Sequence, residues 1–334
     1  MTPFFSIIIL YWQSDQYLPA CLEALQSQIF RDFEVILLDN GSDVPPDENR
    51  LSQHANLRLQ LIHSDTNLGF AGGNNFAARS AKGDYLVLLN GDAFPKPNWL
   101  AQVHKAIQAS PAHFFASRLI QADQTDLLDG EWNVVHASGL AWRKNHNQPV
   151  EKSLSKPREV LSACAAAAIY PREAFEAVGG FDEDFFAYIE DIDLDMRLQL
   201  AGYRCLYLPD AVVLHVGSGS TGSRSDFAVY YGHRNLVWAF VKNMPGILFY
   251  LLLPAHIFYN LLYLLAAPFM PAGNALIKGK KDALLGLKPI LQKRRLVQSS
   301  RKISIWRFAR LLDWNPFSPL AKLAHSEKVQ VHHD

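Results

Sequence analysis

Between residues 181 and 204 the chain reads FDEDFFAYIEDIDLDMRLQLAGYR. It sets Asp182, Asp184, Glu190, Asp191, Asp193 and Asp195 among Phe185, Phe186, Tyr188, Ile189 and Ile192. Acids on a solvated surface need no such neighbours. A carboxylate partly withdrawn from water holds its proton more tightly and is a stronger base, which suits it to proton abstraction. The competing reading is structural, because acidic residues in the first turn of a helix complement its dipole. If residues 188–200 are helical, side chains four apart share a face. Asp191 and Asp195 then fall together, and Asp193 pairs with Arg197 in a structural role. A second group of polar residues follows short apolar runs: Asp39, Asn40, Ser42 and Asp43; then Asn67; then Asn90 and Asp92. His215 ends another such run, LPDAVVLH, two residues before Gly217. Each of these is read either as turn chemistry or as part of a ligand site.

The elements that must position them alternate along the chain. Residues 5–10 (FSIIIL), 33–40 (FEVILLDN), 57–63 (LRLQLIH) and 84–90 (DYLVLLN) read as buried strands, and residues 18–28 as a helix with Leu18, Cys21, Leu22 and Leu25 on one face. AGGNNFAARSA reads as a loop entering a helix. Such alternation predicts an α/β fold with a mostly parallel sheet covered on both faces. Ligands bind beyond the carboxyl ends of strands in these sheets, where the polar groups gather. Glycines 69, 72 and 73 do not have G-x-G-x-x-G spacing, and no P-loop lysine follows them.

In their order, SIIILYWQS, LLDNGSD, NLGFAGGNN, LLNGDA, VGGFDEDFFAYIEDIDLDMRLQLAGY, HVGSGS and YYGHRNLVWAFVKNMP resemble the family 2 inverting glycosyltransferases, in particular their bacterial rhamnosyltransferase-like branch. The resemblance covers residues 6–245. Trp12-Gln13 stand where the family usually has Tyr-Asn, and Asn90-Gly91-Asp92 stand in place of Asp-x-Asp, as is common in that branch. The resemblance implies a GT-A fold, with a Rossmann-like sheet in a catalytic domain of residues 1–245. Roughly residues 1–120 form its donor half and 121–245 its acceptor half. It implies inverting transfer of a sugar, rhamnose first, from a dTDP- or UDP-sugar donor to a hydroxyl of a growing, lipid-linked bacterial surface glycan. Asp191 would be the base and Glu190 would orient the acceptor. Asp92 and His215 would hold a divalent cation, Mg2+ or Mn2+. Leu10, Asp39, Ser42, Asn67, Gly69, Asn90 and Arg234 would line the donor nucleotide, with the Asp39 carboxylate accepting from a pyrimidine N3–H. Arg234 would meet the diphosphate or an acceptor, or is a surface charge. Trp132 and Trp142 would stack on the acceptor, or pack in the core. Two other readings remain: a nucleotidyltransferase, whose Gly-rich, basic opening is not seen here, and a non-catalytic sugar-binding protein, which would not need Asp92, Asp191 and His215 together.

The chain has 334 residues, 49% hydrophobic and 12% aromatic, which excludes disorder. Its formal charge of zero hides a split. Residues 278–310 carry eleven Lys or Arg and one acid, about +10, so the remainder is about −10. No nucleic-acid partner is expected. Three dispersed cysteines fit a reducing compartment without a disulfide framework or zinc site, and the opening residues do not read as a secretory signal. Residues 247–270 are long and apolar enough to span a bilayer, but Pro254, His256, Asn260 and Pro268 interrupt them. A single crossing would separate the catalytic domain from the basic stretch, and both belong on the cytoplasmic face of the bacterial inner membrane. A re-entrant hairpin broken near Pro254, or an interfacial helix, keeps them together, with residues 246–334 a membrane-associating helical region bound to anionic headgroups. The alternative is packing against the catalytic domain or against a second subunit in a homo-oligomer.

Overall fold

The computed structural model describes residues 2–13, 15–110, 113–217 and 225–321; Ser218, Gly219 and Ser220 of HVGSGS, and Ser14 of the opening motif, lie outside them. The expected strand–helix alternation is present in the first ninety residues. Its elements are β1 (Phe5–Tyr11), α1 (Leu18–Gln26), β2 (Phe33–Asn40), α2 (Glu48–Ser52), β3 (Leu59–Ser64), α3 (Gly69–Ala78) and β4 (Tyr85–Leu89). The apolar runs pair in parallel, β1 with β2 and β4, and β2 with β3, with Ile7 opposite Val35 and Asp39 opposite His63. This register brings the polar strand ends to one edge. AGGNN is helical from Gly69 onward rather than a loop, because its small residues let α3 lie close on β1.

Beyond β4 come β5 (Ala93–Pro95), α4 (Trp99–Ala109), β6 (His113–Gln121), β7 (Leu128–Gly130), β8 (Asn133–Val135) and β9 (Ala141–Arg143). They are followed by β10 (Arg158–Val160), β11 (Ala167–Pro171), α5 (Arg172–Ala177), α6 (Glu190–Leu200), β12 (Arg204–His215) and α7 (Asp226–Asn243). The main sheet runs β10-β12-β6-β11-β4-β1-β2-β3. Most of its strands run in one direction; β11 is antiparallel to both neighbours, β10 and β5 are antiparallel to β12, and β7 is antiparallel to β6. Two clusters of buried aliphatic and aromatic side chains fill its two faces.

The C-terminal region is helical: α8 (Gly246–Ala266), α9 (Gly273–Leu285), α10 (Leu287–Ser299) and α11 (Ile305–Ala309). α8 runs without interruption through Pro254, which overturns the expected break there. With the turn of 3-10 helix that follows, it is long and apolar enough to cross a bilayer, by length and composition. It buries one narrow stripe, Leu248, Leu252 and His256, and leaves Tyr250, Leu251, Phe258, Leu261 and Leu265 exposed. A third cluster joins Ile192, Met196 and Leu200 of α6 and Trp238 and Phe240 of α7 to Leu248, Ala283, Ile290 and Phe308, so apolar packing crosses residue 245. The basic stretch is also partly spent on the protein. Lys280 is buried, Lys293 bonds Asp182 and Asp184, Arg294 donates to the carbonyls of Val241 and Met244, and Arg307 bonds Glu159. The expectation that all of it faces headgroups is therefore corrected. Lys278, Lys281, Lys288, Arg295, Lys302 and Arg310 remain exposed.

One buried ion network ties α6 and α7 to the loop before α6. Lys242 Nζ donates to Asp182 Oδ2 at 2.5 Å and to Asp193 Oδ2 at 3.0 Å. Arg197 and Asn243 complete Asp193, as the four-residue spacing of Asp193 and Arg197 predicts. Burial alone would lift the Asp182 carboxyl, but Lys242 and Lys293 outweigh it and hold it at about 2. That stabilisation is present above the ordinary carboxylate range and is lost as pH falls towards 2. Removing one member of a buried pair strands the other. Lys242→Met should cost about 3–5 kcal/mol in urea unfolding at neutral pH; a change below about 1 kcal/mol would show the network to be solvated.

Candidate active site

The donor edge is built from strand ends. Asp39 is buried at the end of β2, where its Oδ1 accepts from the Ser42 amide at 3.0 Å and its Oδ2 faces His63 Nδ1 at 3.3 Å. Asn40 beside it bonds the Gly69 carbonyl, Asn67 Oδ1 and the Leu68 amide. Asn67 Oδ1 in turn accepts from the Gly69 amide at 2.8 Å. Asn67 and Gly69 thus sit against β2 as one unit. Gly69 has φ +70°, and a Cβ there would lie 2.5 Å from the Phe186 carbonyl oxygen. The requirement for glycine therefore comes from the loop that carries the acids.

A histidine centre lies beyond β4. The antiparallel pairing of β5 with β12 puts His215 opposite Ala93, next to Asp92. His215 is 1% exposed. Its Nδ1 faces Asp129 Oδ2 at 2.7 Å, and its Nε2 faces Asp92 Oδ1 and Asn90 Nδ2, each at 3.4 Å. Burial works against the imidazolium, but the hydrogen bonds to Asp129 and Asp92 outweigh it and raise its pKa. Burial likewise works against the Asp129 carboxylate, yet His215 and Arg143 bring it down to about 2. A carboxylate on Nδ1 fixes the ring and directs the Nε2 lone pair outward, as behind metal-bound histidines. Nε2 and Asp92 Oδ1 then form a facing nitrogen and oxygen pair, which suits a divalent cation. Among the described residues no third His, Cys, Asp or Glu completes a cage; a diphosphate and water would supply the other positions.

A cluster of acids lies at the start of α6. Glu190, Asp193 and Asp195 are buried, whereas Asp191 keeps part of its surface open to solvent. Asp191 Oδ2 accepts from Asn133 Nδ2 at 2.9 Å and the Ala165 amide at 3.2 Å; Oδ1 accepts from the Ile192 amide at 2.8 Å. Burial raises the Asp191 pKa against these donors and the Arg143 charge. Asp195 takes the Ala163 amide at 2.7 Å, so the two carboxylates do face the same loop, and burial together with Asp191 pushes Asp195 well up. Glu190 is also pushed well up, by burial first and then by Asp191, and its Oε2 has no hydrogen-bond partner among the described residues.

The segment before α6 is strained: Phe186, Tyr188 and Ile189 have φ of 64°, 65° and 68°. Asn235, fully buried on α7, holds it. Its Nδ2 meets the carbonyls of Phe185 (2.9 Å), Ala187 (2.9 Å) and Tyr188 (2.7 Å), while its Oδ1 accepts from Arg234 Nε. Arg234 Nη2 donates to the carbonyls of Asp184 and Phe185, and its guanidinium lies 4.2 Å from the Trp238 ring centroid. Its Nε and Nη2 are thus turned to Asn235 and the loop, and Arg234 is not the free surface charge of the alternative reading. Trp132 is also corrected: it is buried against Tyr207, with Arg158 over its ring, and presents no face to a sugar. Trp142 is half-buried and lines an open groove. Leu10 and Ser42 stand half-exposed at the donor edge. Sequence reasoning missed Asp129, Asn133 and Asn235. Asp129 and Asn133 lie in the weakly patterned segment 121–157, and Asn235 follows the more conspicuous Arg234.

Comparisons with known proteins bear on the family and the fold. The family model for Glycosyl transferase family 2 matches residues 6–179, more than half of the chain. The O-antigen biosynthesis protein RfbC of Myxococcus xanthus is 30% identical over 228 residues, covering 66% of this chain but only 18% of that protein. The N-acetylglucosaminyl-diphospho-decaprenol L-rhamnosyltransferase of Mycobacterium tuberculosis is 27% identical over 248 residues, 66% of this chain and 79% of that protein. The mannosyltransferase PcManGT from Pyrobaculum calidifontis, solved with GDP-Man and Mn2+, has a TM-score of 0.54 at 19% identity, covering 90% of this chain and 86% of that one. At that identity the likeness speaks for the fold, which is of the GT-A kind. By the extent of the family match, the chain belongs to glycosyl transferase family 2.

Proposed function

We propose that the protein is an inverting glycosyltransferase that moves a sugar, rhamnose first, from a dTDP- or UDP-sugar to a hydroxyl of a lipid-linked cell-envelope glycan. The carrying observation is Asp191. Among the α6 carboxylates it alone combines solvent access, a raised pKa and a fixed orientation. It takes the acceptor proton, and Glu190, its neighbour on α6, orients the acceptor. Asp39 accepts from the pyrimidine N3–H at the donor edge, beside Leu10, Ser42, Asn67, Gly69 and Asn90. Asp92 and His215 hold a divalent cation, with Mn2+ favoured over Mg2+ by the imidazole. Bound there, the cation would neutralise charge on the departing diphosphate. The names of the M. xanthus and M. tuberculosis relatives support an envelope glycan and a rhamnosyl donor.

The exposed apolar residues of α8, together with Leu285, Leu296 and Trp306 and the basic side chains among them, support an interfacial seat on the cytoplasmic face of the inner membrane. A homo-oligomer would cover the same surface. Because apolar burial dominates this seat, the full-length protein should stay with membranes in high salt and leave them only in detergent. Extraction by salt alone would refute it.

Asp191→Asn tests the base. Nucleoside diphosphate binding should be retained, while transfer falls by about 10²–10⁴-fold. Wild-type kcat/KM should rise with pH through an ionisation above the ordinary aspartate range, a limb the variant should lack. Transfer within about tenfold of wild type would assign the base elsewhere. Product analysis should show inversion at the anomeric carbon.

A further inference from the structure

A groove of about 280 Å³, open at the surface, lies between the β8–β9 hairpin, the strained loop, α7 and α8. This is at the small end of ligand-site sizes, roughly 300 Å³ and upward, so it would hold part of a molecule. Trp142, Ile189, Val229, Leu236 and Tyr263 are among its walls, and none of the described residues lining it is Asp, Glu, Lys or Arg. His233 also lines it, and burial, helped by Lys280, pushes that ring down to about 3, so it contributes no charge.

Two further observations give the groove a direction and a purpose. One wall is Ile189, the residue before Glu190 and Asp191; another is Tyr263, on the helix whose Phe258, Leu261 and Leu265 face outward. Tyr263, seven residues after His256, continues the buried stripe of α8 on the side away from those three, so the groove runs along the protein-facing side of α8 and reaches, at Ile189, the residue next to the carboxylates. Gly232 lies in the middle of α7, where glycine weakens a helix relative to alanine. Its φ is not positive, and a Cβ there would meet nothing within 4 Å. Neither a turn nor a close approach requires it. Its effect is to leave the groove unfilled.

We propose that this groove takes the hydrocarbon chain of the lipid-linked acceptor, at the end next to the headgroup. An oligosaccharide would need hydrogen-bonding groups along its length to replace lost water; the side-chain polar atoms here are confined to Trp142, Tyr188, His233 and Tyr263, and every other lining residue is aliphatic, glycine or proline. The inference rests on the lipid-linked acceptor of the proposed function and adds where the lipid lies.

The test uses the full-length protein in phosphatidylcholine nanodiscs, titrated with geranylgeranyl phosphate and with inorganic phosphate, and read by intrinsic tryptophan fluorescence. Wild type should bind the prenyl phosphate well and inorganic phosphate weakly. Gly232→Leu should weaken prenyl phosphate binding about tenfold, whereas Gly232→Ala, which adds one methyl group, should weaken it much less. A melting temperature at or above wild type shows that the leucine variant is folded. Equal binding by wild type and Gly232→Leu, or inorganic phosphate binding as tightly as the prenyl phosphate, overturns the proposal. Failure of the transferase reading would show separately: no nucleoside diphosphate release with any donor and acceptor, while the Gly232-dependent prenyl binding persists and upholds the groove.

Discussion

A single buried amide holds three left-handed residues in place. Phe186, Tyr188 and Ile189 occupy a backbone region that costs non-glycine residues about 1–3 kcal/mol each, with a β-branched side chain such as Ile189 among the least tolerant. Asn235 offsets this by placing its NH2 group against three carbonyls of the segment. The Ala71 amide donates to the Phe186 carbonyl, so the same loop also docks on the donor helix. The sharp turn lets α6 begin at Glu190, which puts Glu190 and Asp191 at the helix mouth instead of one turn further in. The close approach at Gly69 follows from the same turn.

The acids that results from this geometry fall into groups with different tasks. Asp182 and Asp193 face Lys242, Lys293 and Arg197 and stay low, so they hold the framework. Glu190, Asp191 and Asp195 lie close together and are all raised. Asp129 belongs to the histidine centre. Arg143 stands between the two groups: its charge acts on both Asp129 and Asp191, stabilising the carboxylate behind His215 and restraining the rise at Asp191. The β8–β9 hairpin that ends in Arg143 thus links the two halves of the chemistry.

Much of this was legible in the sequence because it is local. The β-branched runs of β1, β2 and β4 mark buried strands, and the spacing of Asp193 and Arg197 gives their pair directly. The acid-rich segment stood out by its apolar neighbours, and the family resemblance pointed to Asp191 within it. What the sequence hid depends on contacts between distant segments. Asp129 meets His215 across 86 residues and Asn133 meets Asp191 across 58, and no periodicity encodes either. Arg234 looked like an anion ligand or a surface charge because its charge is conspicuous, and its place against three aromatic rings and the loop carbonyls was hidden. Pro254 suggested a break in α8, but a helix tolerates one lost hydrogen bond where neighbouring turns continue.

The C-terminal helices complete the same constraint from behind. α9 and α10 pack on α7, Trp238 Nε1 donates to the Ala283 carbonyl, and Lys293 reaches the loop at Asp182 and Asp184. The anchor of the acid-bearing loop is therefore seated on the part of the chain that presents apolar surface outward. Asn235 acts through the backbone it holds. The direct measurement is Asn235→Leu, similar in size but without the donors, examined by steady-state kinetics and by hydrogen exchange of residues 183–189. The account predicts that nucleoside diphosphate affinity stays near wild type, kcat falls about 10²-fold, and the loop amides lose protection. An unchanged kcat with unchanged protection would contradict it.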